Sequence, residues 1–520
     1  MDYSLTLAAL LGVFVLLYTS RRKSSLRNIP GPLPPSWIYG LLLFPDALNV
    51  HPTFTGNMLE LMFPPMYGEN EFAWQKMYGT VYRVRGCFGQ ECLMISDPLA
   101  LQHIMKSANF HHAQRKAAAN AALYGTKREE HRRLRAALSV GFTPAAVRDY
   151  RAEFERIARS VSDKLGASNG KSINVCPLLG SAALSAASEL VFGVGELDED
   201  LVEDILKIMP QWPGHTKTEM LIDGIGARFP LLFRTATLYL PSFNLLRKVR
   251  AQITQVGRQV LREKIAVMKE GMDSGHDLYT KLWENTSSSK GKLTDDEITE
   301  QTSFLLFAGQ ETTANTLAFG LMELGRDLEF QKKLRDEVKA HQDSVVYDSM
   351  PLLNAFIKEV LRMYPAAAMR ERVALKDEII PLSEGIFTTT GQRVSQIHIR
   401  KGDQMMLALA SYQRLQSLWG DDADSFNPYR WIDRKVHQGE AIGPYANLLS
   451  FFWWSACLPR MAFRARILEM QVILFELIRK FSFSLPANDF VCVKLSNILQ
   501  PTDSNGQKCV RLCVAQIMEQ

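Results

Sequence analysis

An acidic, hydroxyl-bearing motif lies within an apolar stretch of the chain. It reads Ala308-Gly-Gln-Glu-Thr-Thr313 and follows the apolar run Phe304–Phe307. Glycine inside a helix costs about 1 kcal/mol relative to alanine, so Gly309 indicates that another group approaches the backbone closely. A flat cofactor or oxygen could pack there, and the Glu311 carboxyl and Thr312 hydroxyl could relay protons to it. A close contact between two helices, with Glu311 paired to a base, is the alternative interpretation.

A second motif combines a glutamate with arginines. Glu359 and Arg362 occur in Phe356-Ile-Lys-Glu-Val-Leu-Arg-Met-Tyr-Pro365, and their spacing places both side chains on one helix face. Arg430, in Phe426-Asn-Pro-Tyr-Arg-Trp431, is a candidate third member. An exposed pair would contribute little stability, whereas a buried one needs further partners to offset the loss of hydration. A solvated pair on the helix surface is the alternative.

The elements that position these motifs are mostly helical. Apolar residues recur at three- and four-residue spacing in segments 145–165, 198–209, 244–271, 295–325, 330–342, 351–364 and 464–482. Short strands are predicted at 80–84, 91–96 and 404–410, and a small sheet is predicted within 373–402. The 520 residues are 47% hydrophobic and 22% charged, which is typical of a globular protein. The predicted fold class is therefore mainly α with a small β-sheet.

Charge and cysteine usage exclude some classes of protein. The net charge of +5 is mild, and no dense basic stripe interleaved with aromatic residues occurs, so a nucleic-acid partner is not expected. The seven cysteines form no CxxC pair and no paired framework. This pattern indicates a body in a reducing compartment.

The amino terminus predicts a membrane anchor. Residues 3–19 are apolar or small throughout, long enough to span a bilayer as a helix, and a basic cluster follows at 21–23. A cleaved signal peptide is the alternative, but the charge follows the apolar run and no small-residue cleavage site is present. The positive-inside rule keeps the basic flank in the cytosol. The proline-rich segment 29–35 predicts a stiff spacer.

The predicted organisation has three parts. They are a single-pass transmembrane anchor at 3–19, a basic flank and proline-rich hinge at 20–36, and a catalytic body at 37–520. A cytosolic body would leave the Asn285 glycosylation sequon unused.

Taken together and in this order, the motifs resemble those of the cytochrome P-450 family, and are closest to its fungal microsomal members. The resemblance rests on AGxETT, ExxR ending in Tyr-Pro, and FxPxRW, and it extends from the anchor to Phe483-Ser-Leu-Pro486. It implies the cytochrome P-450 fold behind an N-terminal transmembrane helix. It also implies a haem-dependent monooxygenase that inserts one oxygen atom from O2 into an organic substrate. The expected cofactor is haem b (iron protoporphyrin IX).

The resemblance further implies partners and a location. Electrons would come from NADPH through a membrane-bound NADPH-cytochrome reductase. The expected location is the endoplasmic reticulum membrane, with the catalytic body in the cytosol. A lipophilic small molecule is the expected substrate, since an apolar pocket beside a membrane suits such ligands. Fungal secondary or xenobiotic metabolism is the expected context.

The resemblance assigns roles to individual residues. Glu311 and Thr312 match the proton-relay acid and alcohol, and Glu359, Arg362 and Arg430 match the structural ion-pair network behind the haem.

The resemblance also places residues at the haem propionates. His131 and Arg135 match the helix that contacts these carboxylates, and Arg372 is a further candidate. Arginine suits a carboxylate because its planar guanidinium can donate two parallel hydrogen bonds.

The family's iron-ligand motif, FxxGxRxCxG, is broken in this chain, although cysteine thiolate is the iron ligand of this family. The flanks of loop 448–469 fit the family, but the middle does not. Counting back from Glu469, the ligand position falls on Arg460, and counting forward from Phe451 it falls on Leu458. Cys457 is the nearest thiol and the candidate iron ligand of the chain as written.

A shifted reading frame accounts for the broken loop. When permitted codons for Trp453 to Arg466 are read one nucleotide later, they encode Gly-Gly-Pro-Arg-Ala-Cys-Leu-Gly-Trp-Arg-Phe-Ala-Leu, which contains the missing motif. The hypothesis is a frame-shifted translation, from a misplaced splice boundary or a true mutation. A haem-free, inactive member of the family is the alternative if the loop is real. A haem-thiolate isomerase or dehydratase is a further alternative, which the AGxETT motif disfavours because O–O cleavage is the step that needs a proton relay.

Overall fold

The structure is a computed structural model, and part of the chain is described in it. The described residues are 26–33, 57–86, 90–111, 128–168, 170–194, 202, 205, 241–270, 275–286, 293–433, 442–451, 462–487, 490–496 and 498–517. The predicted anchor at 3–19, Cys457 and the side chain of His131 lie outside them. Within the described residues, none of the helices is both long and apolar enough to cross a bilayer.

The described elements are mainly helical. The α-helices are α1 (Met58–Met62), α2 (Glu69–Tyr78), α3 (Pro98–Lys106), α4 (Arg128–Leu138), α5 (Pro144–Asp149), α6 (Arg151–Gly166), α7 (Cys176–Phe192), α8 (Pro241–Lys269), α9 (Leu278–Thr286), α10 (Asp295–Arg326), α11 (Leu328–Ala340), α12 (Pro351–Met363), α13 (Leu409–Tyr412), α14 (Gln416–Trp419) and α15 (Ala462–Lys480). Short 3₁₀ turns lie at Ser139–Phe142, Tyr347–Ser349 and Pro428–Trp431.

The strands are short. They are β1 (Val81–Arg85), β2 (Glu91–Ile95), β3 (Phe110–His111), β4 (Ser172–Asn174), β5 (Met369–Ala374), β6 (Glu378–Phe387), β7 (Arg393–Ile399), β8 (Gln404–Ala408), β9 (Phe481–Ser484), β10 (Cys492–Leu495), β11 (Leu499–Thr502) and β12 (Arg511–Gln516).

The chain divides into two compact units, and unit 1 contains the larger sheet. Unit 1 comprises Met1–Ala113, Lys217–Pro230 and Met369–Ala408. Its five-stranded sheet has the order β1-β2-β8-β5-β3, with β2 and β8 parallel and the other pairs antiparallel. Strands β6 and β7 form a separate antiparallel pair. Buried Asp97 caps α3 by accepting a hydrogen bond from the Ala100 backbone N–H, and it also accepts one from the Ser383 N–H of β6. This one carboxylate therefore joins a helix to a strand.

Unit 2 is built around the long helix α10. It comprises Gln114–Thr216, Leu231–Ala368 and Leu409–Gln520. Helix α10 begins at a capping box, in which the Thr294 hydroxyl accepts from the Glu297 N–H and the Glu297 carboxylate accepts from the Thr294 N–H. This exchange satisfies two backbone donors that a helix start otherwise leaves open. Helix α7 packs along α10, and β12 pairs antiparallel with β4 and with β9.

Most predicted elements are confirmed where the structure describes them. Periodicity located α6, α8, α10, α11, α12 and α15 to within a few residues, and it located β1, β2 and β8. The predicted helix 145–165 is divided into α5 and α6 at Tyr150. Predicted strand 404–410 ends at Ala408, where α13 begins.

Helix α7 was not predicted. Its Cys176–Phe192 segment is rich in alanine, leucine and serine, and twelve of its seventeen residues are buried. A helix with so wide a buried face has only a narrow polar stripe, so its sequence lacks the clear amphipathic period on which the prediction depended.

Candidate functional site

One face of α10 is partly exposed to solvent in the otherwise buried stretch 301–325. Every residue of 301–325 is buried except Phe304, Phe307, Ala308 and Thr312, which are partly exposed. Spacings of three and four residues place these side chains along one stripe of the helix. The stripe combines two aromatic rings, a methyl group and a hydroxyl. It can therefore line an apolar cavity with one polar group on its wall.

The threonine hydroxyls of this stretch bond back to the helix. The Thr312 Oγ1 donates to the Ala308 carbonyl at 2.8 Å, and the Thr313 Oγ1 donates to the Gly309 carbonyl at 3.0 Å. Such i−4 bonds hold the hydroxyl orientation while the oxygen still has lone pairs to accept a proton or a hydrogen bond. Thr312 is partly exposed, whereas Thr313 is buried. Thr312 is therefore the hydroxyl that a molecule in the cavity could reach.

Glu311 is buried beside a cation. It is 8% exposed, and its Oε1 lies 3.6 Å from the Lys508 Nζ. The alternative interpretation of the motif, an acid paired with a base, is thus confirmed for this residue.

Glu359, Arg362 and Arg430 form one buried network, as the sequence predicted. The side chains of Glu359 and Arg362 are 0% exposed, and the Arg362 Nη2 donates to Glu359 Oε1 at 2.8 Å. The Arg362 Nε donates to Glu359 Oε2 at 2.9 Å, so this pair is bidentate. The Arg430 Nε donates to Glu359 Oε1 at 3.0 Å. The solvated-pair alternative is therefore wrong.

Further partners saturate this network. Glu359 also accepts hydrogen bonds from the Asn427 backbone N–H at 2.7 Å and from the Trp431 indole N–H at 2.9 Å. Arg430 donates to Asp422 Oδ1 at 2.8 Å. Burial acts to raise the pKa of Asp422, but hydrogen bonds from Asn427 and Arg430 outweigh it and lower the pKa. Because every charge has several partners, the network can remain ionised without solvent.

Backbone carbonyls receive the remaining arginine protons. The Arg362 Nη1 donates to the Gln413 carbonyl at 2.8 Å and to the Ala423 carbonyl at 2.6 Å, and its Nη2 donates to the Ser425 carbonyl at 2.9 Å. The network therefore fixes the 413–431 segment against α12.

Helix α4 carries two of the residues that are predicted to contact the haem propionates, His131 and Arg135. Arg135 is half-buried, and the structure describes the helix backbone at His131 but not its side chain. Neighbouring Arg133 donates to the Glu297 carboxylate at the start of α10. This hydrogen bond is the main reason that the pKa of Glu297 is lowered. Arg133 thus ties α4 to the helix that carries Glu311.

Arg372 lies on β5 in unit 1. It is 6% exposed, and its Nη1 donates to the Glu371 carbonyl at 2.8 Å. A buried guanidinium on a strand is the type of group that could bind a carboxylate.

The first turns of α15 carry an unexpected buried charge. Arg466 is 4% exposed and pairs with fully buried Glu469 at 2.5 Å. The Glu469 Oε1 has no hydrogen-bond partner among the described residues. Burial raises the pKa of Glu469, although Arg466 opposes this effect. A Cβ at Gly309 would lie 2.3 Å from the Arg466 Nη2 and 3.1 Å from the Ala187 Cβ, so this guanidinium packs directly against the helix backbone at Gly309.

Sequence reasoning missed Lys508, Gln413 and Asp422. Asn427 and Trp431 lie inside the quoted FxPxRW segment, so that motif did carry a signal for them. Lys508 lies in an unremarkable polar turn after β11 and reaches Glu311 only through the fold. No local pattern marks a residue of this kind.

Comparison with known proteins identifies the family. The Cytochrome P450 family model matches residues 45–507. "Cytochrome P450 monooxygenase 91" of Postia placenta is 26% identical, over 92% of each chain. "Cytochrome P450 monooxygenase 81" of the same fungus is 28% identical, over 95% of this chain and 94% of the relative. "Cytochrome P450 monooxygenase claP" of Ampulloclitocybe clavipes is 29% identical, over 80% of this chain and 81% of the relative. The chain belongs to the cytochrome P450 family.

Proposed function

We propose that the gene product is a haem-dependent monooxygenase that inserts one oxygen atom from O2 into a lipophilic organic substrate and releases the other as water. Membership of the family implies a haem group, a redox partner and a small-molecule substrate. The observation that carries the proposal is the open stripe of α10. It leaves Phe304, Phe307, Ala308 and Thr312 partly exposed directly beside the buried acid Glu311.

Two parts of the chain differ in how well they fit haem, namely the open stripe of α10 and the iron-ligand position of the written sequence. The open stripe of α10 fits a flat apolar group, because the small side chain of Ala308 lets such a group approach the helix backbone closely beside the aromatic side chains. The ligand position does not fit, because neither Arg460 nor Leu458 offers iron a neutral or anionic donor. Cys457 lies outside the described residues. No chemical step is therefore derived through the iron for the chain as written.

When bound through a thiolate, haem supplies the activation of O2. The proposed work of this chain's own residues is proton handling. Glu311 holds an exchangeable proton site at its carboxylate, and the Thr312 hydroxyl offers the next site toward the cavity. The two residues are consecutive and therefore project about 100° apart around the helix. A water or substrate hydroxyl would have to bridge them.

The remaining proposed contacts concern the haem carboxylates. Arg135 and His131 on α4, and Arg372 on β5, are proposed to bind the propionates of haem b. Arg135 and Arg372 are supported by the partial or full burial of their guanidinium groups. His131 is supported by its position one helical turn before Arg135.

The proposed setting is the endoplasmic reticulum membrane. The apolar segment 3–19 would anchor the chain, segment 20–36 would form the hinge, and the body from 37 to 520 would face the cytosol. A membrane-bound reductase would supply electrons from NADPH. A lipophilic substrate from fungal secondary or xenobiotic metabolism suits the aromatic lining of the stripe.

The frame-shift hypothesis gains support from α15. In the shifted frame, the stretch that replaces Trp453 to Arg466 ends in Phe-Ala-Leu, so no arginine would occupy the buried position beside Gly309. A buried Arg–Glu pair in which one carboxylate oxygen accepts no hydrogen bond among the described residues is a costly way to fill such a site.

Sequencing the spliced transcript across the codons for Phe451 to Glu469 tests this hypothesis. Codons for Gly-Gly-Pro-Arg-Ala-Cys-Leu-Gly would support the haem-thiolate enzyme. Codons for Trp-Trp-Ser-Ala-Cys-Leu-Pro-Arg would favour the second candidate function, a haem-free and inactive member of the family. The observation that favours this second candidate is the written sequence of the loop, in which neither Arg460 nor Leu458 offers iron a donor.

Turnover tests the monooxygenase proposal itself. The enzyme encoded by the shifted frame, combined with a flavoprotein reductase, is expected to consume NADPH and O2 in equal amounts in the presence of a lipophilic substrate. Haem incorporation without any O2 consumption would contradict the proposal and favour an isomerase or dehydratase.

A further inference from the structure

We propose that Lys508 is a positioning residue for Glu311, holding its carboxylate at one fixed place on α10. The inference rests on the proposed function, because Glu311 is placed in proton transfer there. No motif of the sequence marks Lys508.

The first support is the environment of the carboxylate. Glu311 is 8% exposed, and its Oε1 has no hydrogen-bond partner among the described residues. The Lys508 Nζ, 3.6 Å away, is the cation that lies beside it. A buried carboxylate with an open oxygen atom is stabilised mainly by such a neighbouring charge. Removing the ammonium group would leave the Glu311 side chain free to adopt other rotamers.

The second support is the way the backbone aims Lys508. The Asn174 Nδ2 donates to the Lys508 carbonyl at 3.2 Å. The Asn174 Oδ1 accepts from the Val510 N–H and from the Cys176 N–H, each at 3.1 Å. One side chain therefore clamps the turn around Lys508 to the start of α7. The ammonium group is presented from a fixed backbone.

The third support is a second link between α10 and the same C-terminal segment. The Asn315 Nδ2 donates to the Leu499 carbonyl at 2.9 Å, and the Leu499 N–H donates to the Ala366 carbonyl at 2.9 Å. Asn315 and Glu311 are four residues apart and share one helix face. The segment from Leu499 to Lys508 is thus held to α10 at both positions. Glu311 is oriented toward this segment, while Thr312 is oriented by its own bond to Ala308.

This arrangement predicts a specific fault when Lys508 is lost. In coupled turnover, RH + O2 + NADPH + H⁺ gives ROH + H2O + NADP⁺. When protons are not delivered at the correct position, the same two electrons can instead reduce O2 to hydrogen peroxide, since O2 + NADPH + H⁺ gives H2O2 + NADP⁺. A misplaced Glu311 should therefore shift electrons from product to hydrogen peroxide.

The first test needs neither haem nor substrate. Thermal unfolding of the full chain is measured for Lys508→Met, Glu311→Gln and the double variant, with exposed Lys332→Met as control. The expected result is non-additivity, in which the double variant loses less than the sum of the single losses. Additive losses would overturn the proposal. Lys332→Met should leave the melting temperature unchanged.

The second test separates positioning from a purely structural role. In the enzyme encoded by the shifted frame, Lys508→Met is expected to lower the product formed per NADPH about tenfold and to raise peroxide, because misplaced catalytic groups lose rate steeply. Lys508→Arg, which keeps the charge, should restore most of the yield. An unchanged yield in Lys508→Met, with coupled unfolding, would overturn the positioning role. If the unsubstituted enzyme shows no turnover, the proposed function is contradicted instead. The unfolding measurements on the single and double variants would still show whether Lys508 and Glu311 interact.

Discussion

Two buried glutamate–arginine pairs with the same three-residue spacing lie in unit 2, and they differ in how fully they are satisfied. Glu359 and Arg362 on α12 share a bidentate contact, and both Glu359 oxygens accept further hydrogen bonds. Arg466 and Glu469 on α15 share one contact at 2.5 Å, and the Glu469 Oε1 has no hydrogen-bond partner among the described residues.

The difference shows what a buried ion pair requires. Mutual attraction alone does not offset the hydration that two charges lose, so each remaining proton and lone pair needs its own partner. The first pair meets this condition through Arg430, Asn427, Trp431 and backbone carbonyls. The second begins at Arg466, the last residue of the segment in which the family motif is broken. An error in a short stretch of sequence can therefore be recognised in the structure, because it leaves a buried polar atom without a hydrogen-bond partner.

The largest expected effect comes from breaking the saturated network. Glu359→Ala should lower the free energy of unfolding by about 3–5 kcal/mol, because two buried guanidinium groups lose their shared carboxylate. Urea unfolding followed by circular dichroism measures this loss. Glu329→Ala is the matched control, since Glu329 forms an exposed pair with Lys333. A similar loss in both variants would show that burial does not distinguish the pairs.

A smaller effect of opposite sign is expected at the second pair. Replacing both members in Arg466→Leu/Glu469→Leu should be neutral or should raise the free energy of unfolding by up to about 4 kcal/mol, since apolar packing replaces a poorly satisfied pair. The equivalent double change Arg362→Leu/Glu359→Leu should be destabilising, because Arg430 and several carbonyls would lose partners. Urea unfolding of both variants side by side provides the comparison. Equal losses in the two would contradict it.

The smallest expected effect is on the pH dependence of stability. Burial raises the pKa of Glu469, so the folded state holds this proton to higher pH than the unfolded chain does. Its contribution to stability is present below the ordinary glutamate pKa and is lost as pH rises through the raised value. Glu469→Gln should therefore remove a decline in stability above the ordinary value of 4.5. Melting temperatures of both proteins across that range measure it, and parallel profiles would count against the buried charge.

Much of this fold was predictable from the sequence, and the exceptions have physical causes. Helices α10 and α12 carry apolar residues at helical spacing, and the family resemblance of the motifs at 356–365 and 426–431 predicted the Glu359 network. Helix α7 was missed because its wide buried face leaves too narrow a polar stripe to give the sequence a clear amphipathic period.

The candidate site was predictable only where a motif is local. Glu311 and Thr312 were found because both lie in the short motif at 308–313. The partner of Glu311 was missed because Lys508 is distant in sequence and is brought to Glu311 by tertiary contacts of the C-terminal segment. Asp422 was likewise missed, since its contact with Arg430 follows from the turn between α14 and the 3₁₀ helix Pro428–Trp431. Contacts between residues that only the tertiary fold brings together follow no spacing pattern in the sequence, so they cannot be predicted from it.

The reduced carbon monoxide difference spectrum tests the central claim most directly. Two full-length chains would be compared, one as written and one with Trp453–Arg466 replaced by the shifted-frame sequence Gly-Gly-Pro-Arg-Ala-Cys-Leu-Gly-Trp-Arg-Phe-Ala-Leu. Only the second is expected to give the thiolate-type Soret band. The same band in the chain as written would contradict the claim, because it would mean that the written loop supplies a thiolate to the iron.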